Sequence, residues 1–240
     1  MNALVIVPTY NERENIAALV EQLLVHDGVR VLVVDDQSPD GTGAVADSIA
    51  RQQPGRVEVL HRTAKRGLGR SYIDGIKHAI AQRPDLICQM DADFSHDPAR
   101  LPALLAAAES ADVVIGSRYV PGGSVVNWQK RRRLLSRFAN GYVRAITHIA
   151  ANDCTSGYRC WRRAALESLP LDEFVSDGYS FLVEMLFIAS RQGRRIVEIP
   201  ITYVERREGQ SKMSRAVIVE SAMTPWRLIA SPKRARPTAR

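Results

Sequence analysis

Residues 86–93 read Leu-Ile-Cys-Gln-Met-Asp-Ala-Asp, an apolar run that stops on two carboxylates one residue apart. A short apolar run bounded by polar punctuation is the pattern of a strand buried on both faces. The same grammar recurs on either side of it. Residues 4–7 run apolar into Pro8-Thr9-Tyr10-Asn11-Glu12, and residues 31–34 run apolar into Asp35-Asp36. Residues 57–60 (Val-Glu-Val-Leu) and 112–115 (Asp-Val-Val-Ile) are two more strand-like segments. Between them lie segments with helical spacing. In 15–25, Ile16, Leu19, Val20, Leu23 and Leu24 share one face, and 42–52, 69–81 and 98–110 follow suit. Alternating strand and helix predicts an α/β chain with a mostly parallel central sheet and helices on both faces.

Beyond Gly116 the pattern loosens. The spacing predicts a loop over 121–129, a basic amphipathic helix over 130–149, a polar turn at 153–158 and a short helix over 161–169. It predicts an apolar helix over 180–192, one strand over 196–204, a charged loop over 205–213 and a weakly amphipathic segment over 216–230 cut by Pro225. Lys233, Arg234, Arg236 and Arg240 make the end a basic tail.

Charge follows the same division. Residues 1–120 carry 12 basic and 16 acidic side chains, whereas 121–240 carry 21 basic and 10 acidic. An asymmetry of this kind points to an anionic partner read by the second half. Hydrophobic residues at 45% supply a real core and exclude a disordered chain. No stretch reaches the roughly 18–20 apolar residues that span a bilayer, and the start has no basic region or cleavage site of a signal peptide. Three cysteines without a CxxC pair suit a reduced compartment and argue against a disulfide framework or a zinc site.

In an open parallel sheet the ligand lies beyond the carboxyl ends of the strands, and three of those ends here carry chemistry. Tyr10 can stack on a base while Asp35 or Asp36 accepts from base or ribose; the same 9–12 segment also reads as a helix start. Asp91 and Asp93, at i and i+2 of an extended segment, face one side. Two such carboxylates repel unless a cation lies between them, and a hard divalent cation can bridge them to a diphosphate. Arg118 ends the fifth apolar run. Lys130 to Arg133 put four cations where a helix dipole disfavours them unless an anion docks there. Arg206, Arg207 and Lys212 flank Gly209, and Arg suits phosphate.

Read in order, the stretches VIVPTYNERENI, VVDDQSPDGT, KRGLGRSYIDG, QMDADFSHDP, GSRYVPGG, RRRLLSRFAN, DCTSGYR, DGYSFLVEM and EIPITYVERREGQSKMS resemble those of the polyprenyl-phosphate mannosyltransferases, the dolichol-phosphate mannose synthases of glycosyltransferase family two. The resemblance spans Ala3 to Ser214. It implies a GT-A (Rossmann-like) fold, GDP-mannose as donor, Mg²⁺ or Mn²⁺ as cofactor and a polyprenyl (dolichyl) phosphate in the membrane as acceptor. By the same resemblance, Pro8, Tyr10, Asn11, Glu12, Asp36, Asp40 and Lys212 bind the donor, and Asp91 and Asp93 hold the metal. Ser95 stands where some relatives place a metal-proximal Gln. Arg118, Arg132, Ser136 and Glu184 contact the acceptor. Arg206, with Asp91, Asp93 and Arg118, takes part in catalysis.

Many microbial relatives append membrane helices, and this chain resembles the short type. The expected division is a catalytic domain over 1–215 and an amphipathic segment with a basic tail over 216–240. Small membrane subunits, or this surface itself, would then hold the protein at the cytoplasmic face of a membrane. An alternative is a polyprenyl-phosphate glucosyltransferase, or another family-two enzyme with a different nucleotide sugar. Nucleic acid is not the expected partner, since aromatics are only 6% and the cations cluster with the DAD and GSR motifs. An NAD-dependent oxidoreductase lacks its GxGxxG after the first strand.

Overall fold

The computed structural model describes residues 2–63, 67–174, 176, 178–205 and 215–231, with 179 and 215–219 described by backbone alone. Strand β1 (Ala3–Thr9) lies at the heart of a seven-stranded sheet. It pairs in parallel with β2 (Val29–Asp35) on one side and β4 (Leu86–Gln89) on the other. β3 (Val57–His61) extends the sheet beyond β2. Side chains alternate across β1: Leu4 and Ile6 join one hydrophobic layer, Ala3, Val5 and Val7 the other. The first layer is closed by α3 (Leu68–Ala81) and α7 (Gly178–Arg191). The second is closed by α1 (Ile16–Leu24), α2 (Thr42–Gln52) and α4 (Leu101–Ala107). Gly75 lets α3 press onto the sheet, because a Cβ there would stand 2.8 Å from Ile6 Cγ2.

The other side of β4 departs from a simple parallel order. β7 (Arg159–Arg162) enters antiparallel between β4 and β5 (Val113–Ser117), and β8 (Ile196–Pro200) closes the edge in parallel with β5. The helical spacing at 161–169 therefore divides between that strand and a one-turn helix, α6 (Arg163–Glu167). Trp161 is fully buried in the sheet and donates Nε1–H to Gln89 Oε1 at 2.9 Å, so it packs as a strand residue. The single strand expected over 196–204 splits at Ile201. Its second part, β9 (Thr202–Val204), forms a separate parallel ribbon with β6 (Ser124–Val126), inside the stretch expected as loop.

Two further helices, α5 (Lys130–Thr147) and α8 (Arg215–Ala230), pack on each other, and α8 also packs on α7. α8 continues through Pro225. Proline removes one helical N–H and costs about 3 kcal/mol in a helix interior, and here tertiary contacts offset it. Leu228 is fully buried, and Tyr142 on α5 donates its hydroxyl to the Ala222 carbonyl at 2.8 Å while accepting from Trp226 Nε1 at 2.8 Å. Among the described residues, no helix is long and apolar enough to cross a membrane.

Candidate active site

The sheet changes direction of growth between β1 and β4, so a crevice opens beyond their carboxyl ends. On the β1 side, Asp35 holds the loops together: it accepts from Thr9 Oγ1 at 3.0 Å, from Ser38 Oγ at 2.6 Å and from Ser38 N at 3.1 Å. The backbone of the 10–13 segment is then pinned to the 38–42 turn. Asn11 N donates to Ser38 Oγ at 3.1 Å, Glu12 N to Thr42 Oγ1 at 3.0 Å and Arg13 N to Asp40 Oδ2 at 3.2 Å. Asn11 takes φ 62°, a left-handed conformation that Asn tolerates better than most residues. Pro8 is the penultimate residue of β1. Tyr10, Asn11 and Glu12 sit together at the rim, partly or fully exposed.

Asp36 and Asp40 lie beneath that rim with their carboxylates engaged within the chain. Asp36 is buried and ion-paired with Arg62, whose Nε also meets Asp74 Oδ2 at 2.8 Å and whose Nη1 meets Ser71 Oγ at 3.0 Å. Asp40 accepts from Thr42 N at 2.9 Å and Thr42 Oγ1 at 2.6 Å, at the first residue of α2. Desolvation works against ionising Asp40, but these bonds outweigh it and hold its pKa below the usual carboxylate value.

On the β4 side, Asp91 and Asp93 are both partly exposed. Asp91 Oδ1 accepts from Tyr72 on α3 at 3.2 Å, and Asp91 N donates to His96 Nδ1 at 3.2 Å. Tyr72 is fully buried; desolvation first, then the Asp91 charge, push its phenol far above the ordinary range, so it acts as a fixed neutral donor. Burial likewise lowers the His96 pKa, although Asp91 and Asp93 pull the other way. Its ring stacks on Tyr158 at 5.1 Å. His96 is therefore a floor under the carboxylates. Asp93 Oδ1 takes the Ser95 N–H at 3.1 Å, while Ser95 Oγ is buried with no partner among the described residues.

This arrangement fits a hard divalent cation. The donors are carboxylate oxygens. Gly157 leaves room at Asp91, since a Cβ there would stand 3.5 and 3.6 Å from its two oxygens. No cluster of three or more His, Cys, Asp or Glu side chains suited to a metal occurs among the described residues. The two carboxylates supply only part of a coordination shell, leaving the rest to a substrate or water.

The cations converge elsewhere, around a cavity of about 360 Å³. Arg118 forms its polar end and is buried. Its Nε and Nη2 bond Asp153 Oδ2 and Oδ1 at 2.7 and 2.6 Å, and Nη2 also reaches Thr155 Oγ1 at 2.8 Å. Desolvation alone would raise the Asp153 carboxyl, but the Arg118 charge and bonds carry it below the usual range. Arg132 lies with its guanidinium carbon 4.3 Å from the Trp128 ring centroid and pairs with Glu205. Ser136 accepts from the Tyr119 hydroxyl at 2.7 Å, which leaves its own proton free to donate outward. From there the cavity turns apolar, running between α5, α7 and α8 past Leu135, Phe138, Val143, Val183 and Pro225. An anionic head with a hydrocarbon tail matches such a site in both chemistry and shape.

The structure thus brings Arg118, Arg132 and Ser136 to one cavity, and Asp91, Asp93 and Ser95 to one loop. Glu184 is placed differently from its expected acceptor contact. It is fully buried on α7, accepts from Ser176 N at 3.2 Å and does not line the cavity, although Ser180 and Val183 beside it do. Arg206 and Lys212 lie outside the described residues. Tyr72, Asp153 and Trp128 were not singled out by sequence reasoning. Asp153 heads the quoted DCTSGYR stretch, and Tyr72 and Trp128 carried only the weak signal of aromatic residues near motifs.

Comparison with known proteins follows the same lines. The glycosyl transferase family 2 profile matches residues 4–169. An undecaprenyl-phosphate mannosyltransferase of Micrococcus luteus is 47% identical over 235 residues, covering 96% of each chain. A polyprenol monophosphomannose synthase of Mycolicibacterium smegmatis is 48% identical over 222 residues, covering 91% of this chain and 83% of that one. Among solved structures, glucosyl-3-phosphoglycerate synthase of Mycobacterium tuberculosis, in complex with Mn²⁺, UDP and phosphoglyceric acid, superposes with a TM-score of 0.69 at 19% identity. That match covers 93% of this chain and 78% of the other. The mannosyltransferase PcManGT of Pyrobaculum calidifontis, in complex with GDP-Man and Mn²⁺, gives 0.57 at 18% identity, covering 98% and 72%. Both likenesses place this chain in the GT-A fold.

Proposed function

This chain belongs to glycosyl transferase family 2, and from that premise we propose that it moves mannose from GDP-mannose to a polyprenyl phosphate with inversion, giving a polyprenyl-phosphate β-mannose. The observation that carries the acceptor half of this reading is the cavity that begins at Arg118, Arg132 and Ser136 and ends among apolar side chains. The names of the two relatives at 47% and 48% identity support mannose and a polyprenyl phosphate. The GDP-mannose complex of a fold neighbour is consistent with the donor.

In this mechanism an acceptor phosphate oxygen attacks the anomeric carbon. The new O–C bond forms as the bond from that carbon to the diphosphate breaks, and GDP departs with the electron pair. A phosphate monoester has its second pKa near 6 and is already largely ionised at neutral pH. No residue has to remove a proton, in keeping with Glu184 buried away from the cavity. Asp91 and Asp93 would hold a divalent cation, which as a Lewis acid would neutralise charge on the leaving diphosphate. Tyr72 and His96 fix the Asp91 carboxylate and backbone, so little rearrangement is needed at that end. Tyr10, Asn11 and Glu12 border the nucleotide. Asp36 and Asp40 act there by holding Arg62 and the 10–13 segment in place.

The protein would work at the cytoplasmic face of a membrane as a peripheral protein. Leu134, Leu135 and Phe138 on α5, with Met223, Trp226 and Ile229 on α8, are large apolar side chains left exposed beside the cavity. Arg131, Arg133 and Arg137 are exposed around them, as suits an anionic lipid surface. The division into a catalytic region over 1–215 and a membrane-facing segment over 216–240 is part of the same proposal.

An assay of the purified protein with GDP-mannose and a polyprenyl phosphate should yield a mannosylated lipid. Chelation of divalent metal should stop the reaction, and Mg²⁺ or Mn²⁺ should restore it. Preferential use of UDP-glucose in direct competition would overturn the donor, and unimpaired turnover after chelation would overturn the metal.

A further inference from the structure

Trp128 lies two residues before α5, at the polar end of the cavity. One guanidinium lies close over its ring, with Arg132 at 4.3 Å from the centroid. Arg118 is a second, at 5.6 Å, and Tyr203 meets the ring edge-on at 5.4 Å and 69°. Arg118 is also 5.3 Å from the Tyr119 centroid and 5.4 Å from that of Tyr203, so three aromatic faces surround it. Such contacts direct a guanidinium without consuming its hydrogen-bond donors.

The donors themselves are unequally used. Arg118 spends Nε and Nη2 on Asp153 and Thr155, and Arg132 spends Nη1 on Glu205. The Trp128 Nε1–H, by contrast, is buried and has no acceptor among the described residues. A buried indole N–H ordinarily finds a partner, and leaving one unsatisfied is costly. Trp128 lines the cavity beside Arg118 and Arg132, so a phosphate head held by those two guanidiniums would bring an oxygen next to the indole.

We propose that Trp128 is a further acceptor-binding residue: its ring sets Arg118 and Arg132, and its indole N–H donates to a phosphate oxygen of the incoming lipid phosphate. This rests on the acceptor reading given above. It adds a neutral, directional donor between two cations, which would favour a phosphate head over other anions of equal charge by geometry rather than by charge alone.

The test is Trp128→Phe, which keeps an aromatic face and removes the N–H. The KM for polyprenyl phosphate should rise roughly 10- to 100-fold, the loss expected for one hydrogen bond to a charged group. The KM for GDP-mannose and kcat should stay within about twofold. Replacement of Trp128 by benzothienylalanine keeps the ring's size and deletes only the N–H, so it should give the same rise even if the Phe variant folds poorly. Trp128→Leu should lose more, because the stacking goes too. Binding of geranyl phosphate, titrated without donor against a geraniol control, should weaken in parallel. An unchanged acceptor KM in both ring-retaining variants, or an equal rise for the two substrates, would overturn the assignment. Wild-type protein that binds geranyl phosphate through Trp128 but transfers no mannose would instead sink the reaction proposed for the site.

Discussion

Asp153 has no exposed surface, yet the Arg118 pair keeps it charged. A buried pair of this kind adds little by existing, because desolvation offsets its attraction. Breaking it is another matter, since the survivor is left buried and uncompensated. Asp153→Asn should therefore lower unfolding stability by about 3–5 kcal/mol at neutral pH. The depressed carboxyl contributes stability that is present above its unfolded pKa, near 4, and is lost as pH falls through the lower folded value. Urea melts should then show the gap between wild type and Asp153→Asn wide at pH 7 and shrinking below about pH 4. An equal gap at both ends would refute the pairing. Asp153 also shows where the sequence was opaque. Asp91 and Asp93 announce themselves by spacing after a buried strand, a local signal. Arg118 and Asp153 are brought together only by packing of the chain, as are Asp36 and Arg62. No residue-by-residue pattern carries that information, so the buried pair between Asp36 and Arg62 leaves no sign in the sequence.

At the scale of elements, α5 poses the clearest question. It opens on Lys130 to Arg133 with no acidic residue in its first turn, against its own dipole. Leu134, Leu135 and Phe138 then stand 67, 53 and 71% exposed. A solvent-facing helix has no use for such a face, whereas a helix lying on lipid does. Leu134→Glu with Ile229→Glu on α8, both exposed and outside the cavity lining, should leave the melting temperature nearly unchanged and sharply reduce sedimentation with anionic phosphatidylserine vesicles. Transfer to a short, water-soluble prenyl phosphate should survive, since neither head-group arginine is altered. Retained vesicle binding would exclude this face as the membrane contact. The strand–helix alternation of the first half was legible because each apolar run is local and continuous. The strand at 159–162 was not, because Trp161 and Cys160 on a sheet interior look like the start of an apolar helix, and only the neighbours on both sides decide.

Across the whole molecule, the uneven charge of the two halves maps largely onto the two parts of the proposed site. The acids lie at the ends of β2 and β4, and the cations lie around the cavity against α5. Variants should separate accordingly. Asp91→Asn should cut turnover by roughly 10²–10³, as removal of a preorganised charge-stabilising group does, whatever the acceptor concentration. Arg132→Ala should chiefly raise the acceptor KM, and steady-state kinetics varying each substrate in turn would expose any other division. The two halves are nonetheless not separable pieces, and β7 is the reason. Until Arg159–Arg162 has been made, β4 presents an open edge in the middle of the sheet and β5 has no neighbour linking it to the rest. At 5–20 residues per second, a ribosome leaves that edge uncovered for on the order of several seconds. The nascent first half therefore presents β4 as an unpaired edge, the kind of template onto which a strand of another chain can add.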